Sequence, residues 1–217
     1  MTINPWLTLP EVAPFALATD LERVVAFNRS ASYDSIVHLE LLPEPFIGNF
    51  LAPVVVLALN PGFSPDDLKT HQDERFIEFS RRNLKNENTE YPFFFLNPSI
   101  NAPGRTWWEQ KLSRLIRAKG HETVAQKVLC IEFFPYHSRR FAYAKLNVPS
   151  QDFSMELVRK AMSRDALIII LRGAKLWFRA LPELVTYKRM YRVRNPQNVI
   201  LTSTNCPEGY DIILGEI

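Results

Sequence analysis

The chain of 217 residues carries 26 lysines and arginines against 23 aspartates and glutamates, which gives a formal net charge of +3. This length suits one α/β domain. A hydrophobic fraction of 47% with a charged fraction of 23% is typical of a globular protein with a sizeable core, and it argues against disorder. We therefore expect a single domain over residues 1–217, in which residues 1–50 form a helical, wrapping segment.

Targeting and redox signals are missing from the sequence. No stretch reaches the roughly 18 uncharged apolar residues that a membrane-spanning helix needs, and the first fifteen residues lack the basic start and apolar core of a secretion signal. Cys130 and Cys206 lie far apart and form no CxxC motif, which fits free thiols in a reducing compartment. The sequence thus predicts a cytoplasmic protein with no membrane partner and no four-cysteine metal site.

Basic residues form three clusters although the net charge is small. Charge runs of this kind are usually solvated faces, but clusters beside a pocket would be able to bind phosphates. The three clusters are Arg81-Arg82-Lys85, Arg139-Arg140 and Lys188-Arg189-Arg192-Arg194.

The first half of the chain begins with a proline-punctuated segment that contains one predicted helix, at residues 17–28. Residues 54–62 (VVVLALNPG) then predict a buried strand that ends in a tight turn at Asn60-Pro61-Gly62. A helix start at residues 64–67 precedes a charged helix predicted over residues 70–82. The aromatic stretch at residues 91–97 (YPFFFLN) suits a sheet edge or a pocket wall equally well.

The second half alternates helices and apolar strands. Residues 106–119 predict an amphipathic helix, and helices are also predicted at residues 155–164 and 175–184. Further strands are predicted at residues 128–134, 166–171 and 198–204. Four apolar strands separated by helices predict a three-layer α/β/α fold around a central four-stranded parallel sheet.

Polar residues follow each predicted strand, and the carboxyl ends of parallel strands share one edge of a sheet, where open α/β folds bind ligands. No dinucleotide fingerprint, phosphate loop, nucleophile elbow or HExxH helix is present, so the usual cofactor, nucleotide and zinc chemistries lack their markers. A pocket for a nucleobase fits the residues that remain. These are Asn60-Pro61-Gly62-Phe63, Pro135-Tyr136-His137-Ser138, Arg172-Gly173 and Thr204-Asn205-Cys206-Pro207.

Two motifs resemble the uracil-DNA glycosylase superfamily, and in particular its mismatch-specific, thymine-DNA glycosylase-like branch. Ala58-Leu59-Asn60-Pro61-Gly62 is similar to that branch's first motif, in which an apolar strand ends in Gly-Ile-Asn-Pro-Gly. The stretch at residues 102–108 (APGRTWW) looks like the opening of its first long helix. The predicted strand order over residues 54–207 also agrees with the family.

The resemblance implies a DNA glycosylase that hydrolyses the bond between a flipped, damaged or mispaired base and its sugar. Asn60 would hold the attacking water, and an amide positions water without removing its proton. The implied partner is DNA, single-stranded or mismatched, bound by a monomer without cofactor or metal. The implied base-binding residues are Pro61, Gly62, Phe63, Phe95, Glu132, Tyr136, His137, Ser138 and Asn205. Contacts to the DNA backbone are expected from Arg139, Arg140, Lys188 and Arg189.

The sequence departs from the family pattern at two places. Thr204-Asn205-Cys206-Pro207 stands where many members carry a His-Pro-Ser second motif, so the histidine that stabilises the leaving base is absent. Glu132 falls where the best-known branch uses an asparagine to read uracil, and a carboxylate would accept a hydrogen bond from an exocyclic amine or a ring N–H.

Other interpretations of the same residues remain open. Asn60 also fits an ordinary turn before Pro-Gly. His137, taken alone, fits a structural hydrogen-bonding group better than a catalyst, and Glu132 fits a structural role as well as a base-binding one. Trp107 and Trp108 fit helix packing. At the level of function, the alternatives are a glycosylase-like module that binds nucleic acid or a protein without chemistry, and an enzyme that acts on free nucleosides.

Overall fold

The computed structural model describes residues 3–142 and 146–217, and within these residues the strands form one five-stranded mixed sheet. The strand order is β1-β3-β2-β4-β5. Strands β3, β2, β4 and β5 run parallel, whereas β1 pairs with β3 in the antiparallel direction at one edge. The predicted sheet of four parallel strands is therefore wrong in strand number and in the direction of one strand. The strands are β1 Phe46–Ile47, β2 Val54–Leu57, β3 Val128–Ile131, β4 Leu167–Ile170 and β5 Met190–Arg192.

The last predicted strand, at residues 198–204, does not form, and β5 lies earlier in the chain. Within residues 198–204, Val199 and Leu201 are buried in the core but do not pair as a strand. The side-chain amide of Asn205 donates to the carbonyl oxygens of Asn198 and Ile200, both at 2.9 Å. Since a side chain satisfies these backbone groups, the segment needs no neighbouring strand.

Nine α-helices lie within the described residues. The predicted helix at residues 17–28 is confirmed as α1, and the one predicted at residues 106–119 divides into α4 and α5 at Leu112. The start signal at residues 64–67 is also confirmed, because the Ser64 N–H donates to Asp67 Oδ2 at the beginning of α2. The helices are α1 Ala18–Asn28, α2 Pro65–Thr70, α3 Glu74–Leu84, α4 Pro103–Lys111, α5 Ser113–Lys119, α6 His121–Lys127, α7 Gln151–Ser163, α8 Ala174–Ala180 and α9 Tyr210–Glu216.

Both faces of the sheet are buried along β1 to β4, because alternate side chains of these strands enter two different apolar cores. In β2, Val55 and Leu57 join the core that α1, α7 and α8 cover, whereas Val54 and Val56 join the core beneath α4, α5, α6 and α9. The Trp177 Nε1–H of α8 donates to the Ala58 carbonyl oxygen at 2.9 Å, which fixes α8 beside the end of β2. Among the described helices, none has the length and apolarity to cross a membrane.

Candidate functional site

A cavity of about 280 Å³ opens at the carboxyl edge of the sheet, where the segments after β2 and β3 meet α2 and the start of α4. This cavity is called the base-edge pocket below. It brings together most of the residues that the sequence placed at a site. The predicted residues that line it are Asn60, Pro61, Gly62, Phe63, Phe95, Glu132, His137, Ser138 and Arg139.

Asn60 has a fixed amide orientation within the base-edge pocket. Its Nδ2 lies 2.7 Å from the Pro61 carbonyl oxygen, 3.2 Å from the Ser138 carbonyl oxygen and 3.1 Å from Ser138 Oγ. Carbonyl oxygens only accept hydrogen bonds, so the NH₂ group must face them. The opposite atom, Oδ1, is left to accept a hydrogen bond from a water or a ligand.

Glu132 is the most unusual polar side chain of the pocket. It follows β3 directly, is buried, and has an Oε2 atom without a hydrogen-bond partner among the described residues. Burial raises the pKa of Glu132 to about 8, although the nearby Arg172 guanidinium opposes the shift. Glu132 is therefore neutral over most of the physiological pH range, and its carboxyl group has one O–H to donate.

A second buried carboxyl, Glu44, lies against Glu132 because pairing between their segments continues beyond β1 and β3. The Glu132 N–H donates to the Pro45 carbonyl oxygen at 2.9 Å, and the Glu44 N–H donates to the Pro135 carbonyl oxygen at 2.9 Å. Burial, together with the charges of Asp67 and Glu132, raises the pKa of Glu44 well above its ordinary value. The pocket thus holds two carboxyl groups that favour their protonated forms.

His137 connects two segments at the pocket wall. Its Nδ1 lies 2.7 Å from the Gly62 carbonyl oxygen, and its Nε2 lies 3.0 Å from the Leu42 carbonyl oxygen. Burial lowers the pKa of His137, although the Gly62 carbonyl and Asp67 favour the charged ring. The contacts with two backbone carbonyls support the structural interpretation of His137.

His71, at the end of α2, adds an imidazole that the sequence did not single out. The Leu42 N–H donates to His71 Nδ1 at 2.9 Å, and burial lowers the pKa of His71 to about 2. The ring is therefore neutral, and its proton lies on Nε2. His71 lines the pocket, so this Nε2–H is a donor that a ligand in the cavity would be able to use.

Glu44, His71 and His137 also form the kind of group that could hold a metal ion, since their ligand atoms lie within 4.8 Å of one another. A metal-binding imidazole needs a free lone pair on the ligating nitrogen. In His71 the Nδ1 lone pair accepts the Leu42 N–H, and in His137 both ring nitrogens face carbonyl oxygens. A metal ion on His71 would therefore have to displace the hydrogen bond from Leu42.

Aromatic side chains also line the pocket. Phe95 is buried, and a Cβ atom at Gly104 would lie 2.6 Å from its ring, so only glycine lets the start of α4 approach so closely. Trp107 and Trp108 both line the pocket, Trp107 with a half-buried ring and Trp108 with a ring that is buried in the core. The imidazole of His38 stacks on Phe63 with a centroid distance of 3.6 Å, which covers one face of that ring.

Two residues predicted to bind the base lie outside the pocket. The Tyr136 hydroxyl donates to Asp20 Oδ2 at 2.8 Å and accepts from the Leu17 N–H at 3.2 Å, so it anchors α1 to the segment after β3. Asn205 uses its amide within its own loop, where Oδ1 accepts from the Asn195 N–H at 2.8 Å. Both side chains therefore serve the fold in this structure.

The residues predicted to contact a DNA backbone lie at opposite ends of the parallel strands: two near the carboxyl ends and two near the amino ends. Arg139 lines the pocket, with its guanidinium 5.6 Å from the ring centroid of Phe63, and Arg140 is exposed beside it. Lys188 and Arg189 lie just before β5, at the amino end of the parallel strands and away from the pocket. Arg189 also forms ion pairs with Asp165 and Glu216.

Glu44, Asp67 and His71 are ionisable pocket residues that the sequence did not predict. Glu44 precedes an antiparallel strand, so the rule that ligand sites follow the carboxyl ends of strands does not find it. Its one signal is a lone carboxylate within the otherwise apolar LLPEPFI stretch at residues 41–47. Asp67, in α2, and His71, directly after it, line the pocket because this helix packs beside it.

No protein-family model matches the chain, and neither the curated proteins nor the solved structures contain a match to it. The geometry of the pocket is therefore the basis for a functional proposal.

Proposed function

We propose that the base-edge pocket binds one nucleobase turned out of a DNA strand, and that the protein hydrolyses the bond between this base and its sugar. The observation that carries the proposal is the meeting of Asn60 and Glu132 at one cavity. The first offers a fixed acceptor for a water molecule, and the second offers a buried donor for a base. The resemblance to the uracil-DNA glycosylase superfamily supports the same reaction.

The size of the cavity supports a small planar ligand. Its volume of about 280 Å³ lies just below the range of roughly 300–1,000 Å³ that is typical of pockets for drug-sized ligands. One heterocycle fits such a space, with its sugar and phosphate left outside. Phe95 and Trp107 supply the apolar wall against which a ring packs.

The hydrolysis needs little from the protein apart from position and polarity. As the base leaves, positive charge develops on the sugar, so a weak nucleophile such as water suffices when it is held in place. Asn60 Oδ1 accepts a hydrogen bond from that water but does not remove its proton, because an amide is not a base at neutral pH. The resulting enzyme is slow.

Glu132 supports a particular kind of base. In its neutral form the carboxyl group donates from one oxygen and accepts at the other, which matches a ring carbonyl next to a ring N–H. Uracil, hypoxanthine and xanthine present this edge. Donation from Oε2 to the base carbonyl also stabilises the negative charge that the leaving base acquires.

A base-release assay tests the proposal. DNA strands that contain uracil, hypoxanthine, xanthine or a mismatch are incubated with excess enzyme, and the free base is measured. We expect release of at least one of these bases, and an Asn60→Ala loss of about 100-fold or more. Asn147→Ala, which removes an exposed amide outside the pocket, should retain full activity. Absence of release from every substrate by the wild type would refute the hydrolysis.

One observation favours a second candidate, a base-binding module without chemistry. The loop at residues 204–207 contains no histidine and adds no residue to the base-edge pocket, and the segment after β5 contains no histidine either. The leaving base therefore lacks the partner that the family resemblance implies. In that case the wild type binds DNA with an abasic or damaged site but releases no base, and Asn60→Ala changes binding rather than turnover.

A further inference from the structure

A second and larger cavity, of about 770 Å³, lies at the carboxyl ends of β4 and β5. It is called the basic groove below. Leu59 and Arg172 line both cavities, so the basic groove opens directly beside the base-edge pocket. Its lining includes four cationic side chains and one acidic one, Glu208. The cationic residues are Arg172, Lys175, Arg192 and Arg194.

The backbone explains why these cations face one space. Arg192 and Arg194 flank the buried Val193, whose N–H donates to the Ile170 carbonyl oxygen at 3.2 Å and continues the pairing of β5 with β4. In an extended segment, residues two apart project to the same side. Arg172 follows β4 and Lys175 lies in the first turn of α8, so all of these side chains meet at the same sheet edge.

None of the four cations forms an ion pair with a carboxylate of the described residues. The Arg172 and Arg192 guanidinium groups instead lie 5.8 Å from the ring centroids of Trp107 and Phe178. Arg189 lies at the opposite, amino end of β5, and it differs from these cations because it forms ion pairs with Asp165 and Glu216. Unpaired cations in a concave surface concentrate positive potential, which attracts anions.

We infer that the basic groove binds the phosphodiester backbone of the DNA strand whose base enters the base-edge pocket. This inference rests on the proposed function. If a base occupies the base-edge pocket, its sugar and phosphate lie near the basic groove, because Arg172 lines both cavities. Three exposed cations, Lys175, Arg192 and Arg194, then bind the adjacent phosphates. The occupant is one DNA strand in extended form.

Binding to phosphates releases condensed counterions, so the slope of the binding constant against salt concentration reports the number of phosphate contacts. Each phosphate contact on a single strand contributes about −0.7 to the slope of log K against log salt concentration. Three or four contacts predict a slope of about −2 to −3, or roughly 30-fold weaker binding when salt rises fourfold.

The test measures the anisotropy of a fluorescein-labelled single-stranded DNA of about 15 nucleotides at a series of salt concentrations. The groove variant carries Lys175→Gln, Arg192→Gln and Arg194→Gln. The charge-matched control carries Arg114→Gln, Arg117→Gln and Lys127→Gln, three exposed cations of α5 and α6 without an ion pair among the described residues. We expect the groove variant to show a shallower slope, of about −0.7, and the control to keep a slope near the wild-type value.

Equal slopes for the two triple variants would overturn the inference, because only net charge would then matter. Failure of the wild type to bind the strand at low salt would overturn it as well. Glu208→Gln removes the acidic group of the groove and should tighten binding, a gain that misfolding does not produce.

The base-release assay keeps the two proposals apart. If no base is released but the groove variant loses salt dependence, the hydrolysis fails and the groove remains. If base is released and the groove variant binds like the wild type, the strand follows another path.

Discussion

The base-edge pocket and the basic groove share one edge of the sheet but differ in the state of their charges. The pocket holds carboxyl and imidazole groups that burial drives toward their neutral forms. The groove holds three cations, Lys175, Arg192 and Arg194, that are exposed and form no ion pair within the described part of the chain. The first environment suits hydrogen bonds to the edge of a base, and the second suits the charge of a phosphate backbone.

The strand at each end of the sheet explains this difference. At one end, β1 pairs with β3, so Glu44 and Glu132 are enclosed and lose their hydration. At the other end, β5 is the edge strand, and Arg192 and Arg194 extend from it into solvent. We therefore expect the pocket to respond to pH and the groove to respond to salt.

The largest expected effect comes from Glu132→Gln. The folded pKa of about 8 lies above the ordinary 4.5, so the folded protein holds a proton that the unfolded chain releases between these pH values. The wild type should accordingly lose stability as pH rises through this interval, on the order of 4 kcal/mol from this group. The variant keeps the shape of the side chain without its titration, so its free energy of unfolding should fall less.

Urea denaturation at pH 5, 7 and 9 measures this difference. Glu122→Gln, at an exposed position of α6, should reproduce the wild-type pH dependence. If the free energy of unfolding changed equally with pH in the wild type and in Glu132→Gln, Glu132 would have the same pKa in the folded protein as in water.

The next effect, from His71→Asn, has the opposite pH dependence. The folded pKa of about 2 lies below the ordinary 6.5, so acid protonates the unfolded chain first and destabilises the fold as pH falls. By pH 4 this group costs on the order of 3 kcal/mol relative to pH 7. An asparagine still accepts the Leu42 N–H but does not titrate, so the variant should lose less stability in acid.

The same denaturation series at pH 4 and 7 checks this expectation, with His121→Asn as the matched variant at an exposed histidine. If His71→Asn and the wild type lose equal stability in acid, the neutral state of His71 is refuted. Neither variant should change the salt dependence of DNA binding.

The smallest effect comes from Arg172→Gln, which tests the base-edge pocket and the basic groove at the same time. Arg172 lines both cavities and lowers the pKa of Glu132, so its removal should raise the pH at which stability declines. The same change should make the salt slope of DNA binding shallower by about 0.7 if Arg172 contacts a phosphate.

Stability against pH and anisotropy against salt therefore both need to be measured on this variant. Arg179→Gln, on the exposed face of α8, is the matched control and should alter neither quantity. A change in only one of the two quantities would show that Arg172 belongs to one region alone.

Strong local patterns allowed much of the fold to be predicted from sequence. The runs that form β2, β3 and β4 are continuously apolar and flanked by turns, so their strand character followed from composition and length. The turn at Asn60 and the segment that begins after β3 could then be assigned to one sheet edge. Their meeting at the base-edge pocket agrees with that assignment.

The misassigned segments lack such patterns. The two residues of β1 are too few to show a period, and β5 (Met190–Arg192) contains an arginine within a basic cluster. The segment at residues 198–204 looks like a strand locally, but the Asn205 side chain donates to two of its backbone carbonyl oxygens, those of Asn198 and Ile200. Contacts of this kind are invisible to periodicity.

For this protein, the sequence by itself determined which segments are apolar enough to form the centre of the sheet and which polar residues follow them. Only the tertiary structure decided which polar residues share a cavity and in which charge state. The enclosure of Glu132 beside Glu44, the neutral ring of His71 and the open cations beside Arg172 all depend on neighbours distant in sequence. Burial and hydration are properties of the folded surroundings, because the cost of a charge depends on what replaces the water around it.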